Sequence, residues 1–149
     1  MLNNIADKIL AFFKPNKNTK KIAIVLTSVM FIWSGVNKVN NFEKKISTLV
    51  KKTGWPEWFS TLGMILVILL EIIGFIILID YFVESNVLTP ILSNIIDKKK
   101  LTNIILLSVI LFIALVTVIY HPPEAGKMIP FLNNLSLFGL FLYLYADNY

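Results

Sequence analysis

The chain has 149 residues, of which 56% are hydrophobic and 15% are charged, and its formal net charge is +5. A soluble domain of this length could not bury so much apolar surface away from water. The composition therefore excludes a soluble domain and predicts a single integral membrane domain. The lysines lie between the apolar runs. This placement favours contact with anionic lipid headgroups over a nucleic-acid surface.

The residue types present also limit the chemistry. The sequence has no cysteine and a single histidine, His121. Without cysteine there are no disulfides, iron–sulfur clusters, thiol redox chemistry or covalently attached haem, and one histidine cannot bind a haem through two histidines. No glycine-rich phosphate loop or dinucleotide fingerprint is visible. We therefore expect no metal site and no intrinsic cofactor.

Residues 1–20 are predicted to form an amphipathic N-terminal segment, because apolar residues recur there at helical spacing. Residues 21–149 are predicted to form the membrane domain. Four apolar runs in this region approach the ~20 residues that a helix needs to cross the hydrocarbon core. The sequence thus predicts an all-α, four-helix membrane bundle with approximate spans at 21–39, 58–79, 101–120 and 129–146.

The connecting segments carry their own patterns. In "NFEKKISTLVKK", Phe42, Ile46, Leu49 and Val50 form an apolar stripe, and "TPILSNIIDKKK" has a similar one. Both segments, like the N-terminal one, are predicted to be short amphipathic helices lying in the membrane interface. The alternative is that they are helical extensions of the spans.

Lysine counts give an orientation. Four spans place the N-terminus, the region of residues 98–100 and the C-terminus on one side with eight lysines, and six lysines on the other. The positive-inside rule then predicts that both termini are cytoplasmic.

The second span contains a single acid, Glu71, in the otherwise apolar run "VILLEIIGFIILI". A charged group at the centre of a bilayer costs about 2.5–3.5 kcal/mol on insertion scales. Glu71 must therefore be protonated, paired or in contact with water. Gly74 and Gly63 lie on about the same helix face, which predicts close packing against another helix there.

Few polar residues lie at a depth where they could meet this acid. Alternating the direction of the spans brings Ser34, Lys38, His121 and Asn134 to one leaflet, with Glu71 beneath them, which predicts an intramembrane polar pocket. We expect a hydroxyl, an amide or a water between Lys38 and Glu71 rather than direct contact, because their depths differ by several helical rises. Each residue also has a simpler interpretation: helix packing for Ser34, snorkelling for Lys38 and a loop position for His121.

The order of four motifs resembles the DoxX-like family of four-helix integral membrane proteins. The motifs are "FIWSGVNKVNNF", "TGWPEWF", "LLEIIGFIILI" and "FLNNLSLFGLFLYLY", and the match spans about residues 22 to 146. The chain departs from the family in its lysine-rich segment after Glu84 and in lacking an arginine at the start of the first span. The positions that match the motifs are Ser34, Gly35, Lys38, Gly54, Pro56, Glu71, Gly74, Asn134 and Gly139. Gly35 and Gly139 thereby join Gly63 and Gly74 as expected helix-packing positions.

The resemblance implies a membrane-embedded accessory subunit of a quinone-linked oxidoreductase, in which partner chains carry the electron-transferring groups. Quinone is then the expected ligand, and lipids together with partner subunits or further copies of the chain are the expected partners. The alternative is a non-catalytic structural protein of a cellular or viral membrane that docks partner proteins. Transport of a small ion is a weaker third hypothesis, because four short spans leave little room for a path.

Overall fold

Every regular element in the described part of the chain is helical. The structure, a computed structural model, describes residues 17–85, 87–92, 95–124 and 126–149. Its elements are α1 (Lys17–Asn40), α2 (Phe42–Thr53), α3 (Glu57–Leu69), a π-helical segment (Leu70–Gly74), α4 (Phe75–Val83), α5 (Thr89–Leu92), α6 (Lys98–Tyr120) and α7 (Met128–Asn148). The prediction of an all-α fold is confirmed.

Four helical stretches are long and apolar enough to cross a membrane. They cover Asn18–Asn40, Glu57–Val83, Lys98–Tyr120 and Met128–Asn148. The predicted four-span bundle is therefore confirmed, and the chain is a multi-pass integral membrane protein. Each stretch is longer than its apolar run, because polar residues at the ends, such as the lysines at 98–100, continue the helix.

The helices pack as two antiparallel units. In the first unit, α2 packs against α3, and α1 packs against the π-helical segment and α4. Gly54 makes the turn between α2 and α3, with a φ of 70° that disfavours residues with a Cβ, and Pro56 precedes the first residue of α3. The second unit is α6 with α7, and α6 joins the first unit through α4 and the π-helical segment.

The core lies where these units meet. Phe31, Phe75 and Phe141 from three helices are all buried there. The rings of Phe31 and Phe75 stack with centroids 4.3 Å apart, and both meet Phe141 edge-on. A second, smaller cluster joins Ile46 and Leu49 of α2 to Met64 of α3. Large hydrophobic side chains cover the outside of the spans, as expected for helices surrounded by lipid.

Both ends of the described chain lie at the same end of the bundle, where Lys20 of α1 pairs with Asp147 of α7. Asp80 is buried at this end, although nothing in the sequence analysis singled it out. Its Oδ1 accepts hydrogen bonds from the backbone N–H of Val87 and Leu88, and Lys98 Nζ lies 3.5 Å from its Oδ2. Asp80 thus ties the α4–α5 connection to the start of α6.

The prediction of interfacial helices has a different outcome for each of the three segments. Residues 1–16 of the N-terminal segment lie outside the described residues, whereas residues 17–20 belong to α1. The segment 42–53 is a separate helix, α2, which packs along α3. In the third segment α5 has four residues, and the lysines at 98–100 belong to α6.

Candidate functional site

Glu71 lies in the π-helical segment, where the helix between α3 and α4 widens for one turn. Such turns are rare and occur often at functional sites. The Glu71 side chain is only 2% exposed. Glu71 therefore points into the bundle and not to lipid.

Lys38 and Ser34, one helical turn apart on α1, both bind the Glu71 carboxylate. Lys38 Nζ donates to Oε1 and Oε2 at 2.7 Å each and to Ser34 Oγ at 2.7 Å. Ser34 Oγ donates to Oε1 at 3.3 Å. The expectation that another group would separate Lys38 from Glu71 is wrong, because α1 and the π-helical segment are in contact and the long lysine stem spans the remaining depth.

At Gly35, α1 and the π-helical segment approach each other closely. A Cβ at this position would lie 2.7 Å from Ile72 Cγ1 and 3.2 Å from Glu71 Cβ. The absence of a side chain at Gly35 is thus what lets α1 reach the turn that carries the acid.

A cavity of about 640 Å³ adjoins the carboxylate. It lies between α1–α3 on one side and α6–α7 on the other, and its lining on α6 runs from Phe112 to Tyr120, about 12 Å at 1.5 Å per residue. Phe31 of the buried core also lines the cavity. The polar or aromatic residues of the lining are Phe31, Ser34, Lys38, Lys45, Trp55, Glu71, Phe112, Tyr120, His121, Asn133 and Asn134.

All five residues predicted to form the polar pocket line this cavity, but they do not form one hydrogen-bonded cluster. Glu71, Ser34 and Lys38 bind one another, whereas the buried Nδ2 of Asn134 has no hydrogen-bond partner in the described part of the chain. His121 follows the last residue of α6 and lines the cavity next to Tyr120.

The four glycines expected at helix contacts divide into two pairs. Gly35 and Gly74 are buried at close contacts, and a Cβ on Gly74 would lie 3.4 Å from Ile105 Cγ2 of α6. A Cβ on Gly63 or Gly139 would meet no described atom within 4 Å, so these two do not serve close packing here. Gly63 borders the cavity instead.

Lys45 and Trp55 are among the lining residues that were not predicted as part of the site. Lys45 is three residues after Phe42 and four before Leu49, so it belongs to the same helical stripe that the apolar residues define. That spacing could have identified it as a lysine facing inward. Trp55 lies in the turn before α3, for which the sequence gives no periodic signal.

The arrangement suits noncovalent binding of an amphiphile. Apolar residues dominate the lining, and one ion pair and a few hydrogen-bond donors provide orientation, which is typical of ligand pockets in proteins. Among the described residues, no group of three or more His, Cys, Asp or Glu side chains could hold a metal ion.

Comparisons with protein-family models, curated proteins and solved structures found no match for this chain. The resemblance to the DoxX-like family therefore stays a prediction. The function is inferred from the site itself.

Proposed function

We propose that the cavity binds the headgroup of a membrane-dissolved quinone, and that the chain serves as a membrane-embedded accessory subunit of a quinone-linked oxidoreductase. The observation that carries this proposal is the Lys38–Glu71 ion pair at the wall of a largely apolar cavity. A quinone joins a polar ring to an apolar tail, and this cavity offers both environments.

The dimensions support such a ligand. Cavities of about 300–1,000 Å³ hold small organic molecules, and this one is about 640 Å³. Quinone oxygens accept hydrogen bonds, and the lining supplies a free donor in Asn134 Nδ2, which has no hydrogen-bond partner in the described residues. Apolar side chains such as Val67 and Leu137 would surround the ring and the start of the tail.

In the redox reaction, this chain binds the quinone and holds a proton beside it. Reduction of a quinone to a quinol takes two electrons and two protons, and the electrons come from a redox-active partner chain. Lys38 Nζ donates hydrogen bonds to both Glu71 carboxylate oxygens beside the cavity. These two residues are therefore the groups of this chain that would hold a proton near the quinone oxygens.

The same proposal includes an orientation. The Lys20–Asp147 pair places both ends of the described chain together. The lysine excess on that side supports cytoplasmic termini by the positive-inside rule, and Lys45 and His121 would then lie toward the opposite face.

Tryptophan fluorescence provides the test. Of the three tryptophans, Trp55 lines the cavity, while Trp33 and Trp58 are largely exposed. A short-chain ubiquinone analogue should quench the emission of the detergent-solubilised protein saturably, and Trp55→Phe should remove the saturable part.

A pair of glycine variants supplies the matched control. Gly63→Leu should narrow the cavity and weaken binding at least tenfold, whereas Gly139→Leu, at a position that is also open but does not line the cavity, should bind as wild type does. Equal, non-saturable quenching in all variants would contradict the proposal. That result, together with stoichiometric capture of a partner protein, would favour the structural alternative.

A further inference from the structure

The charges that line the cavity do not balance. Among the described residues, two lysines, Lys38 and Lys45, line it, but Glu71 is the single acid in the lining. Lys38 binds both oxygens of that carboxylate at 2.7 Å. Lys45 acts on the same carboxylate only at longer range, so the described lining carries one more positive than negative charge.

The fold holds Lys45 at the cavity. Its neighbour Ile46 and the residue one turn later, Leu49, are buried against Met64 of α3, which fixes the rotation of α2. Lys45 is half-buried, whereas the adjacent Lys44 is exposed and does not line the cavity. Among the described residues, no carboxylate lies within 4 Å of Lys45 Nζ.

A second unused donor lies in the same cavity. Asn134 Nδ2 is buried and has no acceptor in the described residues. A buried donor without an acceptor is destabilising, and a partly buried cation that no carboxylate contacts is also unfavourable. Both costs are relieved by one ligand that brings negative charge and oxygen acceptors.

We infer that the head of the amphiphile bound here is anionic at neutral pH, and that Lys45 is the residue that selects it. This inference rests on the proposed function, because it specifies the ligand class of the same cavity. The shared chemistry is an ionised oxygen acid on an apolar body, as in an acidic hydroxyquinone or a fatty acid. Lys45 pairs with the charge, Asn134 donates to an oxygen, and the apolar walls surround the body.

A matched pair of probes isolates the charge. An alkyl 2-hydroxy-1,4-naphthoquinone is ionised at neutral pH, while its 2-methoxy counterpart has the same ring and tail and is neutral. Measured by quenching of Trp55 fluorescence, the dissociation constant of the ionised probe should be at least tenfold lower than that of the neutral probe, which corresponds to about 1.4 kcal/mol. Lys45→Gln should abolish that preference, Lys45→Arg should keep it, and Lys44→Gln should leave it unchanged.

Competition distinguishes the two sources of the anion. If oleate displaces the ionised probe and methyl oleate does not, the ligand class extends to fatty acids. If oleate is ineffective, the ligand class is restricted to acidic quinones. Equal affinity for both naphthoquinones, or a preference that survives Lys45→Gln, would overturn this inference and leave the proposed function standing. Saturable binding of neither probe would overturn the proposed function itself.

Discussion

Lys38 and Glu71 form a charged pair in which the acid is almost fully buried and the lysine is 19% exposed. Removing two charges from water costs several kcal/mol each, and only close geometry with further hydrogen bonds offsets this cost. Both carboxylate oxygens accept from Lys38, and Ser34 adds a donor. The pair is therefore best understood as a feature of the site rather than as a source of stability.

Removing one member should destabilise the bundle more than removing both. Lys38→Met or Glu71→Leu alone should cost about 3–5 kcal/mol, because the remaining partner is left buried and uncompensated. The double variant should recover much of that loss. A double-mutant cycle by thermal unfolding in detergent checks this, with the exposed pair of Lys127 and Glu124 as the control. Additive losses at the Glu71 pair would show that the two residues do not interact.

Gly35 should be intolerant of even one methyl group. Gly35→Ala places a carbon 2.7 Å from Ile72 Cγ1, so α1 must move away from the π-helical segment, and overpacking of this kind costs about 1–3 kcal/mol. Gly139→Ala, with open space around it, should be neutral or slightly stabilising. Similar unfolding temperatures for the two variants would argue against the close contact.

At the scale of elements, Asp80 holds the end of α4 to the connection that follows. Its Oδ1 lies 2.9 Å from the backbone nitrogen of Val87 and 3.3 Å from that of Leu88. Asp80→Ala should therefore speed hydrogen exchange at these two amides and lower stability by about 1–3 kcal/mol. Exchange measured by mass spectrometry checks it, with Asp147→Ala, an exposed carboxylate, as the control. Unchanged protection at residues 87–88 would contradict the assigned role.

The spans and the burial of Glu71 could be predicted from sequence because hydrophobic run length and the cost of a charge in lipid are local properties. The direct Lys38–Glu71 contact could not, since it depends on the vertical register of α1 against the π-helical segment. Neither element shows that register in its own pattern. Asp80 was missed for a related reason: an acid at the end of a span looks exposed until the following connection folds over it.

At the scale of the whole molecule, four spans require the α2–α3 end and the α5–α6 end to lie on opposite sides of the membrane. The chain has no native cysteine, so single cysteines can report on this directly. Lys52→Cys and Lys99→Cys, both exposed, should react with a membrane-impermeant maleimide from opposite sides of sealed vesicles. Labelling of both from the same side would remove a span from the bundle.

The most direct measurement for the central claim is photolabelling of the membrane-embedded protein with an azidoquinone, followed by mass spectrometry of the labelled residues. Binding in the cavity predicts label on lining residues such as Val67, Val116 and Leu137, displaced by excess unmodified quinone and lost in Gly63→Leu. The contradicting result is label on outward-facing residues such as Leu135 and Leu142 that neither excess quinone nor Gly63→Leu diminishes. It would show that the quinone contacts only the lipid-facing surface of the protein, without binding in the cavity.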